Sequence, residues 1–143
     1  MRFWDSSALA SLVLDEAFTD RAHELWREDD DLLVWWASEI EVASAIRRSL
    51  RAGRLPPARA AQTGKHLTEL AAGWREVPPI QDVRREARRI LALHPLRAAE
   101  ALQLAAASVA AGRTPSELEF VCFDQRLASA AEAEGFVVLR ERA

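Results

Sequence analysis

Short runs rich in aromatic and β-branched residues recur along the chain at 2–4 (RFW), 32–36 (LLVWW), 120–123 (FVCF) and 136–139 (FVVL). Runs of this length and composition, bounded by polar or glycine-containing stretches, read as buried strands. The stretch 75–79 (REVPP) predicts a brief fifth strand, cut off by its prolines. Between these runs, apolar residues recur at helical spacing over 7–14, 17–28, 39–53, 56–73, 81–93, 96–112 and 125–135. Turn signals separate the segments: Asp29 to Asp31, Gly53 to Pro57, Pro78-Pro79 and Gly112 to Pro115. Strands alternating with helices predict an α/β fold around a mostly parallel sheet of four to five short strands.

With 143 residues and no internal repeat or long linker, residues 1–143 are expected to form one domain. No apolar run approaches the roughly 20 residues of a membrane span. Asp5, Asp15 and Glu16 interrupt the N-terminal segment, which does not read as a secretory signal. The lone cysteine, Cys122, excludes an internal disulfide and a cysteine-built zinc site. A cytoplasmic protein without a membrane partner is the expectation.

The net charge of −3 argues against a uniformly basic nucleic-acid binder, yet the average conceals clusters. Lys65 is the only lysine among 19 basic residues; arginines gather at 47, 48, 51 and 54 and again at 84, 85, 88 and 89. Two readings stand side by side: solvated helix faces, or guanidinium groups set to meet phosphates.

The acids fall into a pattern once the strands are placed. Asp5 directly follows the first strand and Asp124 the run at 120–123, so both sit at the carboxyl ends of strands, where open α/β sheets bind ligands. Glu39 and Glu41 begin the helix after the second strand, on the same edge. Each acid also has a local explanation. Asp5 and Asp124 can cap the helices they precede, and Ser38-x-x-Glu41 fits a capping box. Glu100 interrupts the otherwise alanine- and leucine-rich stretch 96–107 (LRAAEALQLAAA), where it shares a helix face with Arg97, Leu104 and Ser108. It is either an acid directed into a cleft or a surface partner of Arg97. The chain has no GxGxxG or phosphate loop, no GxSxG elbow, and no metal-ligand spacing among His23, His66 and His94. What remains is a set of carboxylates, hard oxygen donors of the kind that suit magnesium or manganese.

Four stretches carry a family resemblance: FWDSSALASLVLDE at 3–16, EIEVASAIRR at 39–48, HPLRAAEALQLAAA at 94–107 and FVCFDQRLASAAEAEGF at 120–136. In order and combination they resemble the four motifs of PIN-domain proteins, and among these the VapC-like toxins of toxin–antitoxin pairs. The third and fourth motifs are individually distinctive, and the resemblance spans nearly the whole chain. It implies a three-layer α/β/α fold. It implies an acidic site at Asp5, Glu41, Glu100 and Asp124, with the Ser7 hydroxyl supporting the first aspartate. Asp5, Glu100 and Asp124 would hold Mg²⁺ or Mn²⁺, which lowers the pKa of water and polarises a scissile phosphate. The chain departs from the family at Glu100, where aspartate is usual. The implied activity is cleavage of cellular RNA, a tRNA or a ribosomal RNA, that halts translation. The implied partners are an antitoxin covering the cleft and a second copy of the chain, with segments 17–28 and the helix after Ser38 as contact surfaces. Two further readings follow from the same resemblance: a PIN-type nuclease of RNA processing, and a PIN module that binds without cleaving because of Glu100.

Overall fold

The computed structural model describes residues 1–141. Elements follow in the order β1 (Arg2–Trp4), α1 (Ser6–Val13), α2 (Thr19–Glu28), β2 (Leu32–Trp35), α3 (Ser38–Arg51), α4 (Pro57–Gly73), β3 (Arg75–Val77), α5 (Gln81–Leu93), α6 (Ala98–Ala111), β4 (Glu119–Val121), α7 (Gln125–Ala133) and β5 (Val137–Leu139), with a 3₁₀ turn at Pro115–Glu117 before β4. The expected strands are all present: β1 has the expected bounds, β2, β3 and β5 are shorter by a residue or two, and β4 starts one residue earlier and ends two sooner. Pro78 and Pro79, which cannot donate to a ladder, end β3 at Val77.

The five strands form one sheet in the order β3-β2-β1-β4-β5, and every pairing is parallel. Alternation along the strands divides the core in two, because successive side chains point to opposite faces. Phe3, Leu33, Trp35, Phe120 and Cys122 face α5, α6 and α7. Trp4, Leu32, Val34, Val121 and Phe123 face the layer built by α1 to α4. The result is the three-layer α/β/α sandwich expected, and both sheet faces being covered explains why the strands read as continuous apolar runs. Phe3 and Phe120 stack across β1 and β4 with ring centroids 5.1 Å apart.

The strand order positions the site. From β1 the chain proceeds outward through β2 to β3, then crosses to the other side of β1 for β4 and β5. The direction of winding therefore reverses between β1 and β4, and the crevice of such a sheet opens at the carboxyl ends of those two strands. Asp5 and Asp124 leave the sheet at this point. Among the described residues no helix is long and apolar enough to cross a membrane.

Candidate active site

Asp5 is the most enclosed acid of the fold, with 2% of its surface exposed. Its backbone N–H donates to the carbonyl of Val121, anchoring the end of β1 to β4 at 3.1 Å. Its side chain caps α1 as expected, accepting from the N–H of Ala8 at 3.1 Å. The Ser7 hydroxyl lies 2.8 and 2.9 Å from its two oxygens. Burial outweighs these bonds and pushes the carboxyl up from 3.8 to about 6. Ser7 has a second task. Its Oγ accepts from the N–H of Phe123 at 3.2 Å, so one hydroxyl ties the start of α1 to the segment leading into α7.

Asp124 caps α7 by accepting from the N–H of Leu127 at 2.9 Å, and it is half-buried. Cys122 lies between the two aspartates. Burial, with the charges of Asp5 and Asp124 beside it, drives its thiol far above the usual range, so it stays a neutral thiol.

Glu41 does not form the capping box that its spacing suggested. The cap of α3 is Ala37 with no side-chain capping bond, and Ser38 is buried as the first residue of the helix. It accepts instead from Gln103 Nε2 at 2.7 Å and, at the longer distance of 3.4 Å, from the Ser6 hydroxyl. Gln103 Nε2 also donates to Ser38 Oγ at 2.9 Å. Burial raises the Glu41 carboxyl above its ordinary value despite both donors. Glu39, its rival in sequence, is exposed.

Glu100 occupies the third position of α6, whose cap is Arg97. One of its oxygens accepts from the backbone N–H of Arg97 at 2.8 Å. The pairing with Arg97 is thus real, but it is a helix-start bond to the backbone and not an ion pair. On the rest of that face Leu104 is fully buried and Ser108 donates to Glu86 of α5 at 2.9 Å. The α6 side chain that reaches the site is Gln103, through Glu41 and Ser38, and the bond of Glu100 to the Arg97 backbone does not join it to the other acids.

The structure therefore links Asp5, Ser7, Phe123 and Asp124 around the β1–β4 junction, and Ser6, Ser38, Glu41 and Gln103 beside it. Adjacent Ser6 and Ser7 join the two groups. Sequence reasoning missed Ser6 and Gln103. The available signal was a buried amide in a run of alanine and leucine, the same anomaly that drew attention to Glu100. Gln103 Oε1 is buried without a partner.

None of the four acids forms an ion pair among the described residues. One buried and one half-buried carboxylate, Asp5 and Glu41, both raised by burial and without an ion pair among the described residues, have the donor chemistry that fits a hard divalent cation. Among the described residues, however, no three acid, histidine or cysteine side chains are gathered closely enough to hold one. Asp5, Asp124 and Glu100 each spend an oxygen on a helix N-terminus.

A groove of about 700 Å³ opens beside these residues. Ser6, Ser7 and Glu41 line its acidic end, Phe18 and Phe123 give it an apolar wall, and Arg48 faces it from α3. Its size is that of an ordinary ligand cleft, about 300–1,000 Å³.

Comparison with known proteins matches residues 2–133 to the PIN domain family. No curated protein matches the chain. The fold is similar to the crystal structure of PAE2754 from Pyrobaculum aerophilum, with TM-score 0.62 and 19% identity over 96% of this chain and 87% of that one. It is also similar to FitAB, solved bound to an IR36 DNA fragment, with TM-score 0.67 and 12% identity over 98% and 94% of the two chains. At these identities the likeness is one of fold.

Proposed function

The chain belongs to the PIN-domain family, and from that membership we propose that it is a metal-dependent endoribonuclease, the toxin of a toxin–antitoxin pair. PIN domains are generally metal-dependent nucleases. The observation that carries the reading for this chain is Asp5: a carboxylate 2% exposed, at the point where the sheet reverses its winding, with no ion pair among the described residues and a groove alongside. A buried charge of this kind is costly unless a counter-charge arrives.

Asp5, Glu100 and Asp124 would hold Mg²⁺ or Mn²⁺, with Glu41 completing the catalytic acids. When bound, the ion supplies polarisation of the scissile phosphate and activation of water. The remaining work belongs to the chain. Ser7 fixes the orientation of Asp5 and ties it to the strand that delivers Asp124. Ser6 and Gln103 hold Glu41 charged and aimed. Glu100 gives one oxygen to Arg97 and keeps the other for the site, and its longer side chain takes the place of the aspartate usual in the family. Phe18 and Phe123 shield the groove's inner wall from water.

One domain, residues 1–143, carries this activity in the cytoplasm. The partners proposed are single-stranded or loop RNA as substrate, an antitoxin over the groove and a second copy of the chain. Trp36 and Ile40, 55% and 72% exposed at the start of α3, support a protein contact on the second of the two surfaces expected. Trp26 of α2 is partly buried against the core, so that helix offers less. The likeness to FitAB, solved on DNA, supports an antitoxin that binds DNA.

Controlled expression without an antitoxin tests the toxin role. Growth should stop, RNA ends should map to discrete cuts in tRNA or ribosomal RNA, and Asp5→Asn should prevent both. Normal growth with intact RNA, at verified levels of folded protein, overturns it. Cleavage by the purified protein without growth arrest would assign the chain to RNA processing.

A further inference from the structure

The arginine cluster on α3 is not one surface. Arg47, Arg48 and Arg51 are all exposed, but of the three only Arg48 lines the groove beside the acids. It lies seven residues after Glu41, about 10 Å along the helix axis. Its Nη1 donates to Ser44 Oγ at 2.9 Å, and Ser44 also lines the groove. That bond draws the guanidinium back along α3 toward Glu41, the direction in which long helical side chains lean.

Arg48 has no acid partner among the described residues, although Glu16 and Glu41 line the same groove. Arg47 and Arg51 form no ion pair among the described residues either, so the groove and not the lack of a partner sets Arg48 apart from them, whereas several arginines elsewhere are committed. Arg2 bridges Glu28 and Glu119, Arg85 pairs with Asp82, and Arg89 pairs with Glu86 and Glu134. Arg48 spends one of its five donors on Ser44 and keeps a planar fork for an anion. Phe18 and Phe123 line the same groove, their ring centroids 5.5 Å apart. A cationic fork and an aromatic pair in one groove is the combination used by sites for single-stranded nucleic acid, which hold phosphates by charge and bases by stacking.

We propose that Arg48 binds an RNA phosphate neighbouring the scissile one, and so sets the path of a single-stranded substrate along α3 into the acids. This assignment rests on the ribonuclease reading of the groove. It separates one functional arginine from neighbours that only solvate the helix.

The test is binding of a fluorescently labelled single-stranded RNA oligonucleotide, followed by anisotropy across a salt series. The parent is full-length Asp5→Asn in chelator, which binds without cutting. Arg48→Gln in that background should weaken binding about tenfold at low salt and make the log–log salt dependence shallower by about 0.7. Arg47→Gln should change neither. Arg48→Lys should keep the salt slope while losing part of the affinity, which a merely structural role would not produce. In the cleavage-competent chain Arg48→Gln should raise KM with little effect on kcat. Thermal melting should be unchanged, because Arg48 is exposed. A parent that binds RNA, with Arg48→Gln binding equally well, overturns this proposal and leaves the ribonuclease reading intact. A wild-type chain that neither binds nor cuts RNA overturns both. If Arg48→Gln loses only an acidic peptide such as poly-glutamate and binds RNA normally, the residue serves a protein partner and the proposal is wrong.

Discussion

Asp5→Asn should make the metal-free protein more stable while ending its activity. Burial lifts the Asp5 carboxyl from 3.8 to about 6. At about 1.4 kcal/mol per pH unit, its ionised form costs the native state about 3 kcal/mol. The sign follows from the direction of the lift. A carboxyl raised in the folded state binds its proton more tightly there than in the unfolded chain. Its favourable contribution is complete below pH 3.8 and is lost as pH rises through about 6. Asparagine keeps the oxygen that caps Ala8 and turns an amide toward Ser7 Oγ, so it preserves the local bonds and removes the charge. Urea unfolding in chelator, for wild type and Asp5→Asn between pH 4 and pH 8, measures the effect. The difference between the two proteins isolates Asp5 from other titrating groups: Glu86 and Glu134, lowered mainly by their bonds to Arg89, contribute in the opposite direction to both. Asparagine should gain about 2–3 kcal/mol on wild type as pH rises across that window. A difference that stays constant with pH, or an asparagine variant that becomes relatively less stable at pH 8, would refute the argument that Asp5 is buried as an uncompensated charge.

Glu100→Gln retains an oxygen for the N–H of Arg97, so its stability should stay within about 1 kcal/mol of wild type, while cleavage should fall by orders of magnitude; wild-type rates at low metal concentration would make Glu100 a helix-start residue and nothing more. Glu100→Asp, the residue usual in the family, should keep activity, as read by initial rates over a metal titration. Gln103→Leu removes the 2.7 Å donor to Glu41 and leaves a half-buried carboxylate poorly satisfied; denaturation should show a loss of about 1–3 kcal/mol at neutral pH that shrinks as acid neutralises Glu41, whose carboxyl already lies above its ordinary range.

Much of this arrangement is legible in the pattern of the chain, and the reasons it stops being legible are local. Continuous apolar strands, each followed by a helix, could hardly avoid a parallel sheet covered on both faces, and from that the places of Asp5 and Asp124 follow. Their capping bonds were legible too, because a cap is made within three residues. Partner choice across the fold was not. Ser38-x-x-Glu41 satisfies the spacing of a capping box, but tertiary packing brings Gln103 of α6 within 2.7 Å of Glu41, and that donor wins. Nothing in the neighbours of Gln103 announces a residue 62 positions away. Glu100 shows the reverse. It looked like a cleft acid by resemblance and a surface acid by chemistry, and the local rule describes its present bond, because its position three residues into α6 puts the N–H of Arg97 in reach. The arginines on α3 were indistinguishable as a charge cluster. Only the helix's placement against the groove separates Arg48 from Arg47.

On the proposed reading, the buried Asp5 with the half-buried Glu41 and Asp124 near the β1–β4 junction make this chain a metal-dependent ribonuclease. Purified metal-free protein should therefore be incubated with single-stranded RNA, alone and after adding Mg²⁺ or Mn²⁺, beside Asp5→Asn. Metal dependence predicts no cleavage in chelator, cleavage restored by either ion, and none with Asp5→Asn under any condition. Cleavage that persists in verified metal-free protein, or that survives Asp5→Asn in full, would contradict it.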